Sequence, residues 1–261
     1  MKIGIVTNSN IKDYKKVLEN LKESLTKSEI QFEAADIDNL KTGYDFVCAI
    51  GGDGTILKTS RFYSKTGTPV MGINLGRLGF LSLVHPNDLL NIGEVIKKGQ
   101  YNIRERMMLN SDGNTALNDI VIKGHSSART SEFKLYINNN PVSDYIADGL
   151  IISTPTGSTA YGLSAGGPIL HPGLDAMVIV PICAHTMTAR PLVIPGKEIV
   201  TVKSKEESFD IIFDGQTTIK KLHEVNITKS ENKAKLVFPH DYKFYNVLKN
   251  KLHWGVSPIS E

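Results

Sequence analysis

Apolar residues in the first hundred positions switch between two periods. Residues 2–7 are a short apolar run and predict a buried strand. Val17, Leu18, Leu21 and Leu25 then recur at helical spacing and predict a helix within 11–28. Residues 31–35 and 45–50 read as strands, 55–63 as a helix, 69–74 as a strand, and 88–98 as a helix stopped by Gly99. Strands alternating with helices predict an α/β domain on an open, mostly parallel sheet.

From about residue 101 the helical period fades. Segments 117–123, 132–138, 150–154, 198–204, 209–214, 224–229 and 233–238 are short and rich in β-branched residues. Gly, Asn or Pro clusters such as Asn138-Asn139-Asn140-Pro141 separate them. That pattern predicts an all-β, sandwich-like C-terminal domain. Residues 244–252 turn helical again. The expected organisation is an α/β domain over 1–100, a β-rich domain over 101–240, and a C-terminal segment over 241–261 whose helix packs back on the first domain. No repeat or flexible linker interrupts the chain.

Composition narrows the function classes. Of 261 residues, 41% are hydrophobic and 22% charged, the balance of a globular protein. Lys and Arg number 30 against 27 Asp and Glu, a net charge of +3 with no basic run, so charge gives no reason to expect a nucleic-acid or membrane partner. The apolar run 177–184 is too short to span a membrane and contains Pro181. The N-terminus enters a strand pattern directly, without the layout of a signal peptide. Cys48 and Cys183 lie in apolar stretches and read as buried free thiols, which places the protein in the cytoplasm.

Candidate chemistry in the first domain sits on glycine turns. Ile50-Gly51-Gly52-Asp53-Gly54-Thr55 follows a strand and opens a helix. Paired glycines admit a close ligand, and a helix N-terminus suits phosphate. Asp53 would repel phosphate unless it binds a metal or takes a proton from an attacking hydroxyl, a combination that points to phosphoryl transfer. The plainer alternative is an N-cap accepting a backbone bond. The segment is neither a Walker A loop nor the dinucleotide fingerprint. A second glycine-spaced strand end, Gly72 to Phe80, contains Arg77, which alone reads as a solvated surface residue. Ligands collect at the carboxyl ends of strands in such a sheet, and both turns fall on that edge.

In the second domain, residues 148–161 join a buried strand to six Ser, Thr or Tyr hydroxyls, with Ser164, Gly166 and Gly167 beyond. Such density suits ribose and phosphate oxygens, and Tyr161 offers a face to a base; the alternative is a loop with local turn bonds. Asn118-Asp119 pairs an amide with a carboxylate, which suits vicinal ribose hydroxyls or an ordinary turn equally. Phe213-Asp214-Gly215-Gln216 reads as a hairpin turn. The seven histidines are scattered, and no His/Cys spacing predicts a metal site.

Together, Gly51 to Thr55, Gly72 to Phe80, Asn118-Asp119 and residues 148–172 closely resemble the NAD kinases of bacterial type, the ATP-dependent enzymes that make NADP. The resemblance covers the chain from Ile3 to about Phe238. It implies an α/β domain, a β domain, a ligand site in the cleft between them, and a homodimer or homotetramer whose partner subunits help build the site. It implies transfer of the γ-phosphoryl group of ATP to the 2′-hydroxyl of the adenosine ribose of NAD, with a divalent metal, Mg²⁺ by expectation, on the ATP phosphates. Its direct ligands are left unassigned.

By the same resemblance, Asp53 is the general base on the 2′-hydroxyl, or organises metal and hydroxyl there. Gly51, Gly52, Gly54 and Thr55 cradle phosphates. Asn118, Asp119, Asp148, Thr159, Ala160, Tyr161, Gly162, Leu163, Ser164 and Gln216 bind the dinucleotide, and Lys58 and Arg129 match by spacing. Asp119 stands where the family usually has glutamate, Ile146 replaces a polar or basic residue, and Ala184-His185-Thr186-Met187 replaces a common Pro-His-Ser-Leu. The rivals are a lipid kinase with the same glycine-aspartate turn, which would need an apolar entrance, and a non-catalytic NAD(H)-sensing module in which Asp53 only caps a helix.

Overall fold

Strand β1 (Lys2–Thr7) is buried from its second residue onward, and helix α1 (Tyr14–Lys27) buries Val17, Leu21 and Leu25. The computed structural model that shows this describes residues 1–253 except 13, 77–78, 125–129, 186–187, 205–207 and 222. The chain continues through β2 (Gln31–Asp36), β3 (Phe46–Ile50), α2 (Asp53–Ser64) and β4 (Val70–Ile73). The predicted helix 88–98 is in fact two pieces. Pro86 starts a 3-10 helix, Pro86–Asn91, whose first turn is capped by the His85 ring accepting from the Asn87 N–H, and α3 (Ile92–Lys97) follows. Strand β5 (Tyr101–Arg106) comes next.

The sheet of this unit runs β2-β1-β3-β4, then a strand from far down the chain, Ala234–Pro239, then β5. The first four strands are parallel, and the late strand adds parallel to β4. The compact unit is therefore residues 1–105 with the chain from 234 onward, and the other is 106–233. This corrects the boundaries at 100 and 240. A short apolar run encodes a strand but not its sheet, so 233–238 read as one more strand of the β domain. The helix Phe244–Leu252 lies in the first unit and buries Phe244, Val247 and Leu248.

The second unit holds β6 (Leu109–Ser111), β7 (Asn114–Ala116), β8 (Asp119–Gly124), β9 (Ser131–Ile137), β10 (Asn140–Ala147) and β11 (Gly149–Ser153). A 3-10 turn, Gly157–Thr159, and a one-turn helix, α4 (Tyr161–Ser164), follow. Then come β12 (Ala176–Ile182), β13 (Leu192–Pro195), β14 (Val200–Ser204), β15 (Phe209–Phe213), β16 (Thr217–Lys221) and β17 (Glu224–Lys229). They form two sheets, β10-β9-β14-β17-β6-β7 and β13-β12-β11-β8-β15-β16. Side chains such as Ile120, Ile152 and Ile179 from one sheet and Phe133, Val202 and Ile227 from the other share a core.

The second sheet is apolar on its other face too. There Val121, Ile151, Val178 and Val180 are buried with Ala165 and Leu170 of the segment that follows Gly157. This double burial explains why β11 and β12 read as unbroken apolar runs rather than as alternating strands. The cysteines differ from expectation. Cys48, in β3, is buried, and burial pushes its thiol up to about 12. Cys183 is exposed, because the apolar run ends with β12 at Ile182 and the next residue enters a turn at φ 47°.

Membership of Ala234–Pro239 in the first unit gives a test by native-state hydrogen exchange. Leu21→Ala empties a fully buried position of that unit and should cost about 2–5 kcal/mol. The amides of Leu236 and Val237 should lose protection in that variant and keep it in Ile152→Ala, a core change in the second unit. The reverse pattern would return the strand to the β domain.

Candidate functional site

The turn after β3 is fixed by backbone geometry. Gly51 N–H donates to Ile73 O at 2.9 Å, which ties the turn to β4. A Cβ on Gly51 would lie 2.7 Å from the Thr55 Cβ, so only glycine fits. Gly52 is the N-cap of α2, and its carbonyl accepts from Thr55 and Ile56 N–H. Asp53 is therefore the first helical residue and does not cap its own helix.

Instead the Asp53 carboxylate reaches the loop after β4. Oδ2 accepts from Phe80 N–H at 2.9 Å. Oδ1 accepts from Leu81 N–H and Ser82 N–H, each at 3.1 Å, and from Ser82 Oγ at 3.0 Å. A Cβ on Gly79 would lie 2.7 Å from the Asp53 Cγ, so this loop approaches the carboxylate as closely as a glycine allows. Asn74, fully buried, donates to Ser82 O at 3.3 Å and accepts from Gly76 N–H at 2.8 Å. The two glycine turns are thus one structure joined through Asp53. Thr55 is buried, while Gly52 and Gly54 are exposed. Lys58 pairs with Asp38 at 2.6 Å, and Arg77 and Leu78 lie outside the described residues.

In the second unit a cavity of about 510 Å³ is lined by Asn118, Asp119, Val121, Lys123, Ala160, Tyr161, Ile212, Asp214, Gly215 and Thr218. Its rim is built around the turn Leu117-Asn118-Asp119. On one side the Asp214 carboxylate accepts from the N–H groups of Leu117 (3.0 Å), Asn118 (2.7 Å) and Asp119 (3.2 Å). On the other, Thr154 donates its N–H to Asn118 O at 2.8 Å and its hydroxyl to Leu117 O at 2.6 Å. A Cβ on Gly157 would collide with the Asn118 backbone.

Those contacts reassign the hydroxyl-rich segment. Ser153, Thr154, Ser158 and Thr159 each donate to a nearby carbonyl, so four of the six hydroxyls hold the loop and the Asn118 turn together. The plainer alternative, a loop with its own turn bonds, describes them. Ala160 and Tyr161 do line the cavity, and the Tyr161 side chain is 46% exposed. Gly162 is buried, and a Cβ added there would lie 3.8 Å from the Ser153 Cβ, an ordinary contact. Leu163 is half-buried and Ser164 exposed. Gln216 is exposed in the turn beside Gly215. Asp148 is exposed and precedes β11, at the end of that strand where Gly149 pairs with the cavity residue Lys123. Arg129 lies outside the described residues.

Asp119 is the unusual group. It is 4% exposed, and its carboxyl has no hydrogen-bond partner among the described residues. Burial, with the negative charge of Asp214 added, pushes it up to about 7. Sequence reasoning missed Asp214 and Lys123. Alternation along β8 puts Asp119, Val121 and Lys123 on one face and could have found the lysine. No three Asp, Glu, His or Cys side chains cluster as a metal site among the described residues, and no described helix is long and apolar enough to cross a membrane.

Family models match both halves of the chain: the ATP-NAD kinase N-terminal domain over residues 3–101 and the ATP-NAD kinase C-terminal domain over 117–238. A relative described as NAD kinase from Legionella pneumophila (strain Paris) is 42% identical over 255 residues, covering 91% of this chain and 86% of the relative. Another NAD kinase, from Thermoanaerobacter sp. (strain X514), is 35% identical over 278 residues, covering 96% and 98%. Among solved structures, an NAD kinase from Archaeoglobus fulgidus in complex with ATP has a TM-score of 0.82 at 26% identity, covering 97% of this chain and 99% of its own. Yeast NADH kinase complexed with NADH is similar in fold, with a TM-score of 0.85 at 21% identity over 100% of this chain and 90% of that one.

The buried carboxyl has a consequence for stability. Below about pH 4 the folded and unfolded states both hold the Asp119 proton. Between 4 and 7 only the folded state holds it, so stability falls as pH rises, by up to on the order of 4 kcal/mol above pH 7. Asp119→Asn removes this dependence. In urea unfolding without ligand, the stability of the variant relative to wild type should improve by roughly 2–3 kcal/mol between pH 5 and pH 8. An unchanged difference would show that Asp119 is not buried as a carboxylate.

Proposed function

The chain belongs to the NAD kinase family and carries out ATP-dependent phosphorylation of NAD, and we propose how its residues divide that work. The observation that carries the reading is the Asp119 carboxyl, buried, with no hydrogen bond to it among the described residues, and lining a cavity of nucleotide scale. Such a group in a largely dry site gains from a hydrogen bond that a ligand donates to it. A ribose hydroxyl donates to Asp119, and the Asn118 amide both donates and accepts. Tyr161 lies against a base of the dinucleotide, as the half-exposed ring at the cavity wall supports. Ala160 lines the wall, Thr159, Gly162, Leu163 and Ser164 support it, and Gln216 reaches the ligand from the hairpin turn. Asp148, Lys58 and Arg129 enter on the family resemblance alone.

In the first unit, Gly51, Gly52, Gly54 and Thr55 place the N-terminus of α2 against the ATP phosphates, where backbone N–H groups and the helix dipole favour negative charge. Asp53 takes the proton of the 2′-hydroxyl of the adenosine ribose. The O2′–Pγ bond forms, the bond from Pγ to the bridging β,γ oxygen breaks, and ADP leaves with the electron pair. A carboxylate has about four acceptor directions. Among the described residues three donors crowd Oδ1 whereas Oδ2 takes the Phe80 N–H alone, so Oδ2 is the oxygen that can meet the hydroxyl.

A divalent metal, Mg²⁺ by expectation, neutralises the ATP phosphates when bound. The described residues do not fit a protein-held ion: Asp53 is ringed by N–H and O–H donors, whose positive ends repel a cation. No step here runs through one. Free thiols at Cys48 and Cys183 support a cytoplasmic setting. Val142 and Ile146, each 44% exposed on the terminal strand of their sheet, support a homo-oligomer.

Incubation with ATP, Mg²⁺ and NAD, read by an NADP-specific coupled dehydrogenase, tests the reading directly, and failure to form NADP would end it. Asp53→Asn should lower turnover at least ~10²-fold with the fold intact. Asp119→Ala should raise the KM for NAD roughly 5- to 150-fold and leave that for ATP in place. A variant with lower Tm and unchanged KM for NAD would make the Asn118-Asp119 turn purely structural.

A further inference from the structure

Asp214 grips the Asn118-Asp119 turn with both side chain and backbone. Its carboxylate accepts three consecutive N–H groups, and its own N–H donates to Asp119 O at 2.9 Å. The conformation that allows this is built in. Asp214 sits at φ 51° and Gly215 at φ 65° in the turn between β15 and β16, a left-handed pair that Asp tolerates and glycine adopts freely. The short aspartate arm then turns inward, toward a segment 95 to 97 residues earlier in the chain. A hairpin turn needs none of these bonds for itself.

We propose that Asp214 is a positioning residue for the acceptor nucleotide: its carboxylate sets the backbone of Leu117 to Asp119 so that the Asp119 carboxyl, with no hydrogen bond to it among the described residues, is presented to the cavity. The inference rests on the reading of this cavity as the NAD site. Gripping the turn through its N–H groups leaves the Asp119 side chain free, whereas a cation placed there would have captured it. The negative charge of Asp214 also acts on Asp119 directly and, with burial, keeps its proton on to about pH 7. The other charged or titratable groups on the described elements around Asp119 are Lys123 on β8, Asp210 on β15, Lys220 on β16 and Tyr161 on α4.

Asp214→Asn keeps the size and the turn conformation but removes the charge and sets an amide N–H₂ against one of the three backbone donors. The KM for NAD should rise roughly 10- to 100-fold, the range for bonds to a charged group, while the KM for ATP stays in place. The acid limb of kcat/KM for NAD, which reports the loss of the Asp119 proton, should move to lower pH because the like charge is gone. Asp214→Ser should shift both readouts the same way, so a folding failure of one variant leaves the other to decide. Ile211→Val, on the core face of the same hairpin, controls for lost stability and should move neither. If the Asp214 variants lower Tm as Ile211→Val does, with KM for NAD and the acid limb unmoved, Asp214 is a hairpin residue only. A wild-type enzyme that makes no NADP would instead defeat the reading of the cavity itself.

Discussion

A carboxyl held 4% exposed beside a second carboxylate, with no hydrogen bond to it among the described residues, is costly to ionise, and the second unit holds one at Asp119. Asp119 stands at the start of β8, the strand between β11 and β15 in a sheet buried on both faces. Three elements distant in sequence fix its backbone: the turn after β15 through Asp214, the end of β11 through Thr154, and the close approach of Gly157. None of them satisfies its side chain. The protein thus spends hydrogen bonds on placing the carboxyl and leaves the carboxyl for a ligand. Native proteins rarely leave such a group alone, and the exceptions concentrate at functional sites.

The first unit solves a related problem in the opposite way. Asp53 is surrounded by donors, and its carboxylate locks the loop 79–82 to the start of α2. Glycine at 51 and 79 is required because a Cβ at either would strike Thr55 or Asp53. One carboxylate therefore fixes the turn, and under the proposed mechanism its less crowded oxygen, Oδ2, meets the hydroxyl. The positioning is achieved by backbone N–H groups in both units, which bind a carboxylate without bringing a mobile cation into a phosphate or ribose site.

What could be read in the sequence follows from which features are local. Glycine turns, the helical spacing of Val17, Leu21 and Leu25, and the buried runs of β11 and β12 are encoded within a few residues, and they gave the two-part architecture. Partners far along the chain are not encoded. Nothing near Asp53 names Phe80, Leu81 or Ser82, and Asp214-Gly215 carries only its turn. The strand Ala234–Pro239 looks like its neighbours in sequence because burial, not sheet identity, selects its residues. The bonds of the hydroxyls at 153, 154, 158 and 159 are equally invisible in sequence: composition shows that donors are present, not which carbonyls they meet. Asn118, Asp119 and Tyr161 line one cavity, which their spacing along the chain does not encode, and Asp148 stands one residue before the Gly149 that pairs with the cavity residue Lys123.

The Asp119 carboxyl is buried beside the like charge of Asp214 and, in the proposed function, accepts from a ribose hydroxyl. Its ionisation can be followed by the side-chain carboxyl ¹³C shift in protein labelled at aspartate, with Asp119→Asn identifying the signal. A transition near pH 7 is expected in the ligand-free protein, moving to lower pH when NAD is added, because a donated hydrogen bond favours the charged form. A transition near pH 4 that NAD leaves in place would contradict this reading.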